Sequence, residues 1–286
     1  MGRILVLRSG GAELPQGAAG PDVTLLTTHE IVPMDAGIAE ALAFDPRGAR
    51  LIVSSRVTAE ILLGGTKETE VTAHGRSASG EAGAGANRTD FFERGFSEVI
   101  AAGEETARSV RQAQSPRGDS THDPTASPPA VVVPPLPGAS GVLHLLRESP
   151  GGLSGLRILW PRGSDADAAP VDELRRLGAD VVAPVVYEKR TRRVASLTEA
   201  ERTALSEFRG GGFAAVVAGS MAALEALLSW LGHPAPAALP RVRWGVLGPE
   251  TARAVSARGL PSPAVPQRAR FEDLIDLLRK ELAKTS

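Results

Sequence analysis

The sequence contains no cysteine. Disulfides, thiolate metal ligands and cysteine nucleophiles are excluded on that ground, and a reducing compartment fits. Aromatic residues make up only 4% of the chain, with a single tyrosine, so a base-stacking surface or an aromatic sugar platform is not expected. Charge of one sign is also missing. The formal net charge is −1, and no run of five or more Lys or Arg appears, which argues against a nucleic-acid partner. No apolar run approaches the roughly eighteen residues of a membrane span, and the N-terminus enters a strand pattern without a signal-peptide layout. The expectation is a cytoplasmic protein with no membrane partner.

What the chain does contain is a phrase used twice. Gly248-Pro-Glu-Thr-Ala-Arg253 follows the apolar run Val242 to Leu247 and opens a helix-like run, Thr251 to Arg258. The same words stand a domain's length earlier as Gly103-Glu-Glu-Thr-Ala-Arg108, after Val99 to Ala102. Strand, glycine turn and helix in that order leave unpaired N–H groups at a helix start, at the carboxyl edge of a sheet. Pro249 suits the first helical position and Glu250 the positive end of the helix dipole. The separation is too long for a solenoid repeat, so one architecture is expected twice.

Other stretches repeat as well. Ile4–Arg8 matches Ile158–Arg162, Asp22 through Glu30 matches Asp180 through Glu188, and Ser54-Ser55 matches Gly219-Ser220. Strand-like runs alternate with helical ones throughout, which predicts an α/β protein with parallel sheets. Helices are expected at Gly37–Phe44, Val57–Leu63, Ala139–Glu148, Ala168–Leu177, Leu197–Phe208, Met221–Leu231 and Phe271–Lys284; Gly178 caps the fourth of these. Asp180–Tyr187 reads as extended, and Pro263–Gln267 as a last short strand. Thr66–Asp90 and Gln112–Pro129 carry no sustained period and read as exposed insertions. An Arg-Gly-Asp tripeptide in the second has no adhesion context in a chain without a secretion signal.

With these residues the chain resembles the uroporphyrinogen-III synthase family. That family's pattern is a strand with an Arg, an Xaa-Tyr pair at the lobe junction, strand–Thr–Ser–helix segments, and a terminal Gly-Pro-Xaa-Thr-Ala. Here they read as Arg8 and Arg162, Val186-Tyr187, Ser54-Ser55 with Gly219-Ser220, and Gly248-Pro-Glu-Thr251-Ala. The resemblance spans nearly the whole chain outside the two insertions. It departs from the pattern in a shortened first crossover and in Gly219, where a Thr is usual. The first repeat also has Glu104 in place of the proline.

The resemblance implies two flavodoxin-like parallel-sheet lobes with a cleft between them. One lobe is discontinuous (1–28 and 190–286) and the other is inserted (34–180). A two-stranded antiparallel connector, about 25–33 and 181–190, joins them. It further implies cyclisation of hydroxymethylbilane to uroporphyrinogen III, with loss of water and inversion of the last pyrrole ring, by a monomer without cofactor or metal. Transient contact with the upstream deaminase is a further implication. The substrate is a polycarboxylate that bulk charge does not attract here. Helix N-termini supply local anion sites, each worth roughly 0.3–1 kcal/mol when exposed. Ser55, Thr106, Ser220 and Thr251 stand at four such starts, and together with Arg8 and Arg162 they are the expected substrate contacts. Tyr187 is the expected catalytic group, since a phenol stays protonated at neutral pH and can assist a leaving hydroxyl.

By residue type alone each assignment has a structural alternative. Ser55 and Ser220 suit plain N-caps, and Thr106 and Thr251 suit bonding back to their own helices. Arg8 and Arg162 suit ion pairs at strand ends, and Tyr187 suits packing on a neighbouring strand. His29 aligns with Tyr187 and comes within range of the cleft, while the other histidines show no metal-ligand spacing. Two other functions stay open at this point. One is a non-catalytic module that binds a tetrapyrrole or another polyanion. The other is a nucleotide-binding enzyme, although no Gly-Xaa-Gly-Xaa-Xaa-Gly or phosphate-loop lysine follows a strand.

Overall fold

A computed structural model describes residues 2–9, 14, 17–62, 91, 95–114, 128–232 and 239–285. The chain divides into two compact units: a split unit, Met1–Ile31 with Lys189–Ser286, and a continuous unit, Val32–Glu188. The main chain therefore passes from one unit to the other twice.

In the split unit, β1 (Ile4–Ser9) lies between β2 (Val23–Pro33, which runs on into the other unit) and β10 (Ala215–Ala218). Beyond β10 lies β11 (Arg243–Val246), and all these pairings are parallel. Alternation along β1 sends Leu5 and Leu7 to one face of the sheet, and Ile4 and Val6 to the other. Both faces are covered, which is why Ile4–Leu7 is apolar at every position. On the first face, α6 (Glu199–Arg209), α7 (Met221–Leu231) and α8 (Pro249–Ala257) bring Phe208, Leu224, Leu227 and Val255 against Trp244. On the other, Leu274, Ile275 and Leu278 of α9 (Phe271–Thr285) meet Ile4, Val6 and Val217. Removal of each such side chain from water contributes about 1.5–3 kcal/mol.

Two ion pairs fix this unit at depth. Arg279 grips Asp22 through Nε and Nη2 at 3.0 and 2.8 Å. Glu201 accepts from Arg192 Nη1 at 2.6 Å and from the backbone N–H groups of Thr27 and Thr198 at 3.3 and 2.8 Å. With Thr198 as N-cap of α6, Glu201 completes a capping box, so one carboxylate starts the helix and ties down β2.

The continuous unit has a five-stranded parallel sheet in the order β5-β4-β3-β6-β8, built from β3 (Arg50–Val53), β4 (Glu98–Ala101), β5 (Val131–Val132), β6 (Arg157–Leu159) and β8 (Asp180–Val182). One face carries α4 (Gly138–Arg147) and α5 (Ala169–Arg176), whose Val142, Leu146, Val171 and Leu174 pack on Ile52, Ile100 and Ile158. The remaining helices are α1 (Asp35–Ala43), α2 (Arg56–Leu62) and α3 (Glu104–Gln114). Chain order reverses between β3 and β6, so the crevice at their carboxyl ends is a topological switch point.

Several expectations need correction. The extended run Asp180–Tyr187 is two strands, β8 and β9 (Val185–Thr191), broken at Ala183-Pro184; the second expected connector therefore begins inside a core strand. A two-residue strand that was not expected, β7 (Arg162–Gly163), pairs in parallel with β9. The last expected strand is a single bridge, Gly245 with Ala264. Of the two expected insertions, Gln112–Gln114 instead closes α3. The stretch Thr66–Asp90, the Arg-Gly-Asp tripeptide, His74, His122 and His233 lie outside the described residues. Gly178 caps α5 as expected, with φ 93° and its N–H on the Arg175 carbonyl at 3.0 Å.

Candidate functional site

In the continuous unit the chain leaves β3 at Val53 and turns through Ser54 and Ser55 into α2. Ser55 Oγ accepts the Thr58 N–H at 3.1 Å and lies 2.9 Å from Thr58 Oγ1, so this serine is an N-cap. On the far side of the switch point, the register of β7 and β9 slips by one residue and sets Gly163 opposite Tyr187. The Tyr187 ring lies directly on Gly163: a Cβ there would sit 2.6 Å from Cε2 and Cζ and 2.8 Å from the phenol oxygen. That oxygen is 3.5 Å from Ser55 Oγ, the outer limit of hydrogen bonding, so the contact fixes position more than it adds energy.

The phenol is half-buried. Burial pushes its pKa above the ordinary value of 10.0; Ser55 pulls the other way, and the negative charge of Asp165 adds to the rise. Tyr187 is therefore protonated at neutral pH and available as a donor. Arg162 folds back on its own turn, with Nη1 donating to the Ala166 carbonyl at 2.6 Å. Its buried Nε has no hydrogen-bond partner among the described residues.

The same unit holds a second helix start, where β4 passes through Ala102-Gly103 into α3. Thr106 is 7% exposed, and its hydroxyl makes no hydrogen bond among the described residues. The expected alternative, a bond back to its own helix, is absent. Ahead of it stand Glu104 and Glu105, which pair loosely with Arg111 and Arg56 at 3.7 and 3.6 Å.

The split unit repeats the arrangement with different contents. Ser220 caps α7, its Oγ accepting the Ala223 N–H at 3.3 Å. Gly248 starts α8 with no side-chain cap, and Thr251 is 8% exposed with a hydroxyl that makes no hydrogen bond among the described residues. Each threonine stands in the first turn of its helix, where backbone N–H groups have no intrahelical acceptor. Pro249 has no N–H, leaving those of Glu250 and Thr251 as donors with no intrahelical acceptor.

Arg8, at the end of β1, lays its guanidinium over the Phe271 ring at 4.6 Å from the centroid. That ring occupies the space a side chain at 219 would need, since a Cβ on Gly219 would sit 2.7 Å from Phe271 Cζ. The glycine in place of the usual Thr is explained by the aromatic ring beneath Arg8.

His29 takes a structural position. It is 4% exposed, with Nδ1 2.8 Å from Thr28 Oγ1 and Nε2 3.3 Å from Thr191 Oγ1. Thr28 Oγ1 donates to the Arg8 carbonyl at 2.9 Å, so it accepts from Nδ1–H. Among the described residues, no group of three or more His, Asp or Glu gathers as for a metal ion, and no helix is long and apolar enough to cross a membrane.

Sequence reasoning missed Gly163 and Phe271. A lone glycine after an Arg and a phenylalanine opening the last helix carry no local signal of the rings and cations they meet.

Comparison with known proteins adds to this geometry. Uroporphyrinogen-III synthetase from Helicobacter pylori is similar over 98% of this chain and 99% of that one, with 15% identity and a TM-score of 0.57. A mutant uroporphyrinogen III synthase from Thermus thermophilus is similar over 99% of each chain, with 15% identity and a TM-score of 0.51. At that identity the likeness shows the fold alone. A search of curated proteins returned no match. The family model described as uroporphyrinogen-III synthase HemD matches residues 18–276. The chain belongs to the uroporphyrinogen-III synthase family.

Proposed function

We propose that the chain is an active uroporphyrinogen-III synthase, which closes hydroxymethylbilane to uroporphyrinogen III with loss of water and inversion of the terminal ring. The observation that carries this reading is the Tyr187 phenol at the switch point of the continuous unit, kept protonated by burial and by Asp165. The substrate's carboxylates are taken by helix starts with open donors, above all Glu250 and Thr251 at α8, with Arg8 as the cation. The hydroxyl leaves as water with the Tyr187 proton donated to it. The substituted α position of the last ring attacks the resulting electrophile. The older bond from that position to its methylene then breaks and re-forms at the ring's free α position, whose released proton restores the Tyr187 phenol. The chain favours this course by holding the substrate's two ends.

In this reading Ser55 and Ser220 act chiefly by shaping their turns, since each hydroxyl already caps a helix. Arg162 acts on the turn that carries Asp165, and Thr106 is a weaker contact than Thr251. The protein works as a cytoplasmic monomer without metal or cofactor and receives its unstable substrate from the upstream deaminase.

The test is a coupled reaction in which the deaminase supplies hydroxymethylbilane and the product isomers are separated. The type III isomer is expected with the wild-type chain. Only the spontaneous type I isomer would overturn the activity.

A further inference from the structure

We infer that Gly163 is a positioning residue, and that its missing side chain sets where the Tyr187 phenol stands. Its catalytic consequence rests on the function proposed above; the placement itself does not.

Three of the described glycines of the continuous unit lie too close to other atoms for a Cβ, and what they meet separates them. At Gly37 the Cβ would lie 1.9 Å from the Val185 carbonyl oxygen, and at Gly141 1.6 Å from that of Leu136. Those are backbone collisions, so these two glycines serve the fold. At Gly163 all three nearest atoms belong to the outer end of one side chain, the Tyr187 ring, at 2.6–2.8 Å. Gly163 has no positive φ that would strain an alanine. An added methyl group therefore meets a rotatable ring, and the ring moves while the strand stays.

The surrounding hydrogen bonds leave the ring as the part free to yield. The Tyr187 carbonyl accepts the Ser164 N–H at 2.9 Å, and Ala166 N–H closes the turn on the Gly163 carbonyl at 3.2 Å. Backbone on both sides is thus pinned. Among the described residues, the hydroxyl has only its 3.5 Å approach to Ser55 to hold it. Steric placement on the bare backbone of β7 does most of the positioning.

The single tyrosine makes this measurable without an activity assay. Tyrosinate absorbance after a rapid rise in pH reports Tyr187 and nothing else. In Gly163→Ala the midpoint is expected to move down toward the ordinary phenol value as the displaced ring gains solvent. In the coupled assay kcat is expected to fall about tenfold with KM nearly unchanged. The double variant Gly163→Ala with Tyr187→Phe is expected to be no slower than Tyr187→Phe alone.

An unchanged midpoint overturns the inference. A shifted midpoint with unchanged turnover upholds the placement and removes Tyr187 from the proposed chemistry. Should Gly163→Ala fold poorly, thermal melts in a Tyr187→Ala background decide. The inference expects the cost of the alanine to vanish there, and a cost that persists contradicts it.

Discussion

The two units use the same turn for different ends. At the start of α8 the split unit presents proline, one glutamate and a nearly buried Thr251 with an unbonded hydroxyl; α3 in the continuous unit begins with two glutamates before Thr106. Each unit also sets an aromatic ring on a bare glycine. In one, Phe271 over Gly219 carries the Arg8 guanidinium; in the other, Tyr187 over Gly163 carries its own hydroxyl. Duplicated architecture thus gives one sheet edge suited to holding negative charge and another suited to keeping a proton. Two carboxylates beside a helix start discourage an anion there, while a nearby carboxylate and partial burial retain a phenol's proton.

The largest expected break in this comparison is Tyr187→Phe. Loss of the donor should lower kcat about 100-fold while the melting temperature changes little, and the spontaneous type I product should rise in the coupled assay. A smaller effect separates the two threonines. Thr251→Ala should raise KM about fivefold, and Thr106→Ala less than twofold, because Glu104 and Glu105 already oppose an anion at α3. Equal effects in initial-rate measurements would erase the proposed asymmetry.

Acid should act on the units unequally. The Arg279 guanidinium holds the Asp22 carboxyl below its ordinary 3.8. At Glu201 burial pushes upward, but Arg192 and the N–H groups of Thr198 and Thr27 win, and the carboxyl is held below its ordinary 4.5. Because both folded values are depressed, the stabilisation is fully present above the ordinary values and disappears as pH falls through the lower folded ones. Both groups belong to the split unit. Hydrogen-exchange protection at β1 and β10, corrected for the intrinsic slowing of exchange in acid, should therefore be lost on acidification before protection at β3 and β4. Glu201→Gln should reduce the difference. The smallest effect is expected from Glu104→Pro, which copies the α8 start onto α3. It removes one loose surface pair and one charge, so stability should change by less than about 1 kcal/mol while KM falls slightly.

Much of this was legible in the chain itself. The doubled Gly-Xaa-Glu-Thr-Ala-Arg phrase marks both helix starts, and the continuous apolar run at Ile4–Leu7 marks a strand covered on both faces. Tyr187 stands out as the one tyrosine, at a position matched in the repeat. The rings on glycines were not legible. Arg8 meets Phe271, and Ser55 meets Tyr187, across sequence separations that leave no periodicity to read. Short β7 was hidden because two residues carry no alternation, and the break at Ala183-Pro184 was masked by apolar residues on either side. The serine caps were legible as caps; the freedom of the two threonine hydroxyls was not, since back-bonding depends on rotamer rather than residue type.

The most direct test of the account is the dependence of kcat on pH above neutrality, measured for the wild type and Tyr187→Phe in the coupled assay. A phenol raised above 10.0 and acting as donor predicts a wild-type rate that holds through the range where an ordinary tyrosine ionises. The rate should fall only above that range, and the Tyr187→Phe variant should lack this alkaline limb. An alkaline limb of the same midpoint in both proteins would contradict the account.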